Sequence, residues 1–159
     1  ALDIPDNHYD CVIMRMSLEH VHSPLDVLNK LSQVMKHNGE LIITVPNYGC
    51  YEARIFGRAA YFLQLPTHLS HFTPKTITQA LEKCGFQVNR ICFVANKNDI
   101  VKSAEIMREM GKNSLWLKLL GKRWVVKTLV RFWMKVMRAL NRSPRMTIYA
   151  QKNAVGEKV

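Results

Sequence analysis

Acidic residues are missing from the last part of the chain. From Gly111 through Val155 there is no Asp or Glu, whereas eleven Lys and Arg fall there, a number equal to the net charge of +11 carried by all 159 residues. Charge segregated in this way directs that segment toward an anionic partner. Long apolar runs are also missing, since Lys and Arg interrupt every stretch before the roughly 18 residues that would span a bilayer, and a spanning helix is excluded. Cysteine is sparse. Cys11, Cys50, Cys84 and Cys92 form no CxxC pair, and three of them sit in or beside apolar runs, which suits buried thiols in a reducing compartment. The cysteine usage reads as cytosolic, and the opening Ala-Leu-Asp-Ile-Pro, with neither an initiator Met nor the regions of a signal peptide, reads as starting at a cut. What is present, 48% hydrophobic and 22% charged residues, is the composition of one packed domain.

Two short apolar runs, YDCVIM from Tyr9 to Met14 and ELIITV from Glu40 to Val45, lack alternation, as strands buried on both faces of a parallel sheet do. A punctuated helix lies between them. Ser23 is placed to cap it, Pro24 suits its first position, Asp26 stands where a capping-box acid would, and Leu25, Leu28, Leu31 and Met35 make an inward face, with Gly39 as a left-handed stop. The pattern repeats with Thr73 as cap, Pro74 at the first position, Ile77, Ala80, Leu81 and Cys84 facing inward and Gly85 as stop, ahead of a strand from Phe86 to Val94. Strands alternating with helices predict an α/β fold with a mainly parallel sheet. The connection from Pro46 to Phe72 is long enough to be a lid or binding loop, and it leaves a strand end, where open α/β sheets keep ligands.

Beyond Val94 the sequence predicts a helix over Ile100 to Met110 capped by Asp99, an apolar turn around Trp116, a break at Gly121, a long helix from Arg123 to Asn141 and a last strand over Met146 to Gln151. The expected organisation is core over residues 1–94, a helical basic insertion over 95–144, the last core strand over 145–152 and a tail over 153–159.

Five pieces, in order, carry a resemblance: IPDNHYDCVIM, SLEHVHSP, VMKHNGELIITVPN, LPTHLSHFTP and LEKCGF. Together they resemble the C-terminal portion of class I S-adenosylmethionine-dependent methyltransferases, particularly the branch that includes enzymes of quinone and cell-surface polysaccharide biosynthesis. The resemblance implies the second half of a Rossmann-like sheet whose last strand runs antiparallel, S-adenosylmethionine as cofactor and a small methyl acceptor. The GxGxG turn and the acidic residue that hold the cofactor in such families do not occur in this sequence. In the family fold the strand from Tyr9 to Met14 pairs with a strand that this chain lacks, so self-association through that edge is expected.

The resemblance places the methionine part of the cofactor at Arg15, Met16 and Ser17, with Arg15 as a solvated loop charge the alternative. It places Glu19 and His20 beside the cofactor pocket, or Glu19 in a hydrogen bond that holds the turn. His68 and His71, at the exit of the long loop and before a helix N-terminus, suit a general base or an acceptor-binding group, His68 first; His71 could equally lock the loop onto Thr73 or backbone. Paired histidines, His20 with His22 and His68 with His71, invite a metal reading, but no Cys or carboxylate completes a set by spacing, and no metal is expected. Tyr48, Tyr51, Phe56, Tyr61 and Phe62 make the long loop aromatic, as an apolar acceptor pocket or a packed lid would require.

Helical spacing brings Lys127, Arg131, Lys135, Arg138 and Arg142 onto one face and Val126, Leu129, Trp133, Val136, Met137 and Leu140 onto the other. An apolar face with Trp opposite a purely basic one suits a helix lying on an anionic membrane, peripheral on the inner face, more than one gripping nucleic acid, where aromatics interleave with cations. The competing arrangement packs the apolar face internally. Two functions follow: methyl transfer to a small, lipid-linked, saccharide or quinone-type acceptor, or a non-catalytic binding or membrane-docking module that keeps half the fold.

Overall fold

The computed structural model describes residues 4–112, 114–120, 122, 124 and 126–153. Strand β1 (Tyr9–Arg15) leads through a tight 3-10 turn (Leu18–His20) into α1 (Pro24–Val34), and β2 (Met35–Pro46) follows directly. After a lid that contains α2 (Tyr51–Phe56) come α3 (Pro74–Lys83) and β3 (Phe86–Val94). Helices α4 (Lys97–Glu109), α5 (Leu115–Leu119) and α6 (Arg131–Ala139), with a π-type turn at Val126–Val130 before α6, precede β4 (Arg145–Lys152). The sheet order is β1-β2-β4-β3. β1 and β2 run parallel, while β4 is antiparallel to both neighbours, as expected for a last strand inserted between earlier ones.

The main core forms where α1 and α3 lay Leu28, Ile77 and Leu81 against Leu41, Ile43, Phe86 and Ile148. Burying each such side chain contributes about 1.5–3 kcal/mol, which outweighs any single cap. The cap of α3 is nonetheless complete, with the Thr73 hydroxyl accepting from the Thr76 amide and the Thr76 hydroxyl accepting from the Thr73 amide. At α1 the expected capping box does not form: Ser23 makes no side-chain cap bond, and Leu25 is exposed. Gly85 takes the left-handed position at φ 83° as expected, but α1 ends at Val34, ahead of Gly39, and the positive φ, 62°, falls on Asn38 within β2. Gly39 serves another need. A Cβ there would lie 2.9 Å from the Lys36 carbonyl oxygen and 3.2 Å from those of Tyr9 and Asp10, so only glycine lets β1 approach β2 so closely.

The long connection and the helical insertion, expected to be separate, share a second core. Phe56, Phe62 and Leu63 of the lid pack with Ile100, Ala104, Leu117 and Val130 of the insertion. Polar ties join the same parts: the Tyr61 amide donates to Ser103 Oγ at 2.8 Å, and Trp133 Nε1 donates to Glu52 Oε1 at 2.9 Å. Lid and insertion therefore make one cap, built from segments that leave the carboxyl ends of β2 and β3. The cap of α4 is Asn96, not Asp99, which is buried within the first turn and pairs with Arg145 at 2.7 Å. Gly121 and Arg123, named above as a break and a helix start, lie outside the described residues.

β1 is an edge of the described sheet. Ile13 is 64% exposed, and Cys11 is exposed rather than buried, because among the described residues no further strand pairs with β1 on that side.

Candidate functional site

At the carboxyl end of β1 the chain turns sharply. Met16 is held at φ 50°, its amide donating to the Thr44 carbonyl at 2.9 Å, and Arg15 is exposed while Met16 and Ser17 are half-buried. A long side chain held in the left-handed region is uncommon, and such strain is often found at functional turns. Ser17 makes no side-chain cap bond to the turn that follows, which leaves its hydroxyl for another partner.

The next residues bring a cluster together. Glu19 and His68 are both buried, with 3.9 Å between Glu19 Oε1 and His68 Nε2, too far for a hydrogen bond. Among the described residues neither oxygen of Glu19 and neither ring nitrogen of His68 has a hydrogen-bond partner. His20 is exposed, and its ring meets that of His68 edge to face at 4.6 Å between centroids. Its Nδ1 lies 3.2 Å from the Thr67 carbonyl, which fixes Nδ1 as the donor. The lid exit is stitched to this turn, as the amides of Leu69 and Ser70 both donate to the Glu19 carbonyl oxygen. Glu19 thus holds the turn through its backbone, while its side chain is unused by the fold.

Burial pushes the Glu19 carboxyl above the usual carboxylate range, and burial, helped by the nearby His20 and His71, lowers the His68 imidazole to about 4. His68 is therefore neutral at pH 7 and a weak proton acceptor there, since a general base works best with a pKa near the working pH. That counts against His68 as first choice for a base. His71 lies apart from the cluster. It is half-buried, its ring is 5.7 Å from that of Tyr48, and its buried Nε2 has no partner. It does not lock onto Thr73, whose hydroxyl is engaged with Thr76. Instead it lines a cleft of about 380 Å³ with Tyr48, Ala53, Arg58, Leu63 and Leu65. His22, the partner of His20 by spacing, is exposed and outside the cluster.

Several residues had no assigned role in the sequence. Asn47 is buried at the start of the lid: its side chain donates to the Ser143 carbonyl and accepts from the Gly49 amide, and its own amide donates to the Pro144 carbonyl. Its signal was the Pro-Asn that ends the apolar run of β2. Glu52 gave none, because an acid in an aromatic loop reads as solvated until Trp133 is seen bonded to it.

The fold is found again in known proteins. A family model described as a methyltransferase domain matches residues 2–91. The chain belongs to the class I S-adenosylmethionine-dependent methyltransferases. Solved structures agree on the fold. A SAM-dependent methyltransferase from Archaeoglobus fulgidus is 23% identical with a TM-score of 0.54, over 94% of this chain and 62% of the other. One from Thermotoga maritima is 13% identical with a TM-score of 0.56, over 96% and 60%. The [4+2]-cyclase SpnF is 17% identical with a TM-score of 0.56, over 97% and 53%. This methyltransferase chain thus spans between 53% and 62% of the length of these neighbours. At such identities they show the fold and not the reaction. No curated protein sequence matches the chain.

Proposed function

We propose that the protein of which this chain is part transfers a methyl group to a small acceptor held under the cap, and that it does so at an anionic membrane surface. The reading rests above all on the cap, which closes over the carboxyl ends of β2 and β3, where α/β sheets hold ligands, and which contains the cleft bordered by His71. S-adenosylmethionine, when bound, supplies an electrophilic methyl carbon, and the residues at the end of β1 suit its methionine part: the free Ser17 hydroxyl, the strained Met16 and the exposed Arg15. Methyl transfer is an in-line displacement, so the chain's task is mainly positioning. In this reading the unpaired Nε2 of His71 takes the acceptor's proton, Tyr48, Leu63 and Leu65 bind its apolar body, and the Glu19 carbonyl with the His20 ring holds the turn against the lid exit.

Support for a lipid-linked, saccharide or quinone-type acceptor comes from the outer surface of the cap. Phe132 is 68% exposed and Leu129 58%, beside the exposed Arg131, Lys135 and Arg138. Cations and apolar groups together on one exposed arc are what an interfacial helix presents to anionic lipid. No described helix is long and apolar enough to cross a membrane.

Calorimetric titration of S-adenosylhomocysteine into this chain, and into a version extended at its N-terminus, tests the enzyme reading. Binding by the extended form alone is expected; binding by neither would overturn it and leave the membrane-docking module as the better account.

A further inference from the structure

The fold buries a carboxylate and an imidazole that it does not use. Both Glu19 oxygens and both His68 nitrogens are shut away from solvent without hydrogen-bond partners among the described residues. An unpaired buried acid beside an unpaired buried imidazole is costly, and such groups are normally satisfied by each other, by water or by an ion. At 3.9 Å they do not satisfy each other. His20 completes the set. One ligand atom from each of Glu19, His20 and His68 lies within 4.8 Å of the other two.

We infer that Glu19, His20 and His68 form a binding site for a divalent transition-metal ion of the zinc type. Two imidazoles and one carboxylate are a donor set that zinc and its neighbours in the first transition row accept, whereas magnesium and calcium prefer oxygen alone. His20 has the tautomer that a ligand needs: with Nδ1–H donated to the Thr67 carbonyl, Nε2 keeps its lone pair, and a backbone carbonyl is a common outer-shell partner of a metal-bound histidine. The scaffold is held by backbone hydrogen bonds, because the Leu69 and Ser70 amides fasten the lid exit carrying His68 to the Glu19 carbonyl. Metal–ligand bonds of about 2.0–2.2 Å would draw the three atoms, which lie within 4.8 Å of one another, to roughly 3.4 Å apart, a closure of up to about 1.4 Å that side-chain rotation supplies. Three protein ligands leave a position open, so the ion would be available to polarise an acceptor hydroxyl or a water. The site stands on the cluster geometry and does not depend on the acceptor or the membrane reading.

The test is a titration of metal-stripped chain with zinc chloride, followed by calorimetry, and with cobalt(II), followed by its visible absorption. One equivalent should bind, with a cobalt spectrum typical of four or five nitrogen and oxygen ligands. His20→Ala, at an exposed position outside both cores, should weaken binding by more than roughly tenfold, and His68→Ala and Glu19→Gln by at least as much. His22→Ala should leave it unchanged. The absence of a stoichiometric site in the parent chain would overturn the proposal, as would equal affinity in correctly folded His20→Ala.

Discussion

A methyl group at Gly39 has no room, since it would press on three backbone oxygens that hold the β1–β2 approach in place. Gly39→Ala should therefore lower stability by about 1–3 kcal/mol, the usual cost of overpacking, measured by urea unfolding. Glu52 is a different residue-scale case. Its Oε1 accepts from Trp133, its Oε2 has no partner, and burial raises its pKa above the usual carboxylate range. The folded chain therefore binds a proton at Glu52 more readily than the unfolded one, so stability falls as pH rises from about 4.5, the ordinary value, through the raised folded value. Glu52→Gln keeps an acceptor for Trp133 and removes that loss. The variant should gain on the parent by about 2–4 °C in Tm between pH 5 and pH 8, the shift that about 1 kcal/mol produces at this size; a gap that does not widen with pH would show that the burial cost of Glu52 is met in another way. Cys50 is buried, its Sγ accepts from the Ala53 amide, and burial pushes its thiol up to about 12. Iodoacetamide should label exposed Cys11 in the native chain and reach Cys50 only on unfolding, as peptide mass mapping would show.

Among the elements, α6 departs most from its expected orientation. Helical spacing placed Val126, Leu129, Trp133, Val136, Met137 and Leu140 on one apolar face. The Val126 side chain lies outside the described residues, Leu129 and Leu140 are exposed, and the inward residues are Val130, Trp133, Met134 and Met137. The π-type turn at Val126–Val130 accounts for the difference, because its wider hydrogen bonding inserts about one residue of phase before α6 begins. Trp133, read as a membrane anchor, is instead half-buried and bonded to Glu52. Arg142, grouped with the free cations, donates to the Gly49 carbonyl of the lid. The membrane reading thus moves to Phe132 and Leu129 with Arg131, Lys135 and Arg138. The triple change of those three cations to Gln should weaken pelleting with phosphatidylserine vesicles by about 1 kcal/mol per residue, and Phe132→Ala should weaken it further. Equal pelleting with neutral vesicles, or retention of RNA that is equally sensitive to the three cations, would count against a membrane surface.

At the scale of the whole molecule, the open edge of β1 matters most. Its unpaired backbone groups and the exposed Ile13 offer a template for another strand. We expect the isolated chain to self-associate through it, seen as a concentration-dependent mass in sedimentation equilibrium, and Ile13→Lys to shift it toward monomer. A monomer at every concentration would rule the edge out. The cap is the other whole-molecule feature. The boundaries read from sequence separated the lid from the insertion, yet their shared core and the Glu52–Trp133 bond join residues 81 positions apart.

The α/β class, the parallel pair β1 and β2 and the caps at Thr73 and Gly85 were legible because each depends on short apolar runs and on residues with special backbone preferences, whereas the antiparallel direction of the last strand came only with the family resemblance. The family was legible because its pieces keep their order along the chain. Proximity across long separations was not. The histidine pairs suggested by spacing do not form; Glu19 and His20 meet His68 instead, because a backbone ladder folds the lid exit onto the turn after β1. Asp99 looked like a helix cap until Arg145, 46 positions later, came to lie against it. Local sequence fixes which elements form and how they end, since those energies act within a turn or a strand. Which buried groups face one another is decided only when the sheet and the cap close, because packing and desolvation depend on neighbours that the order of residues does not reveal.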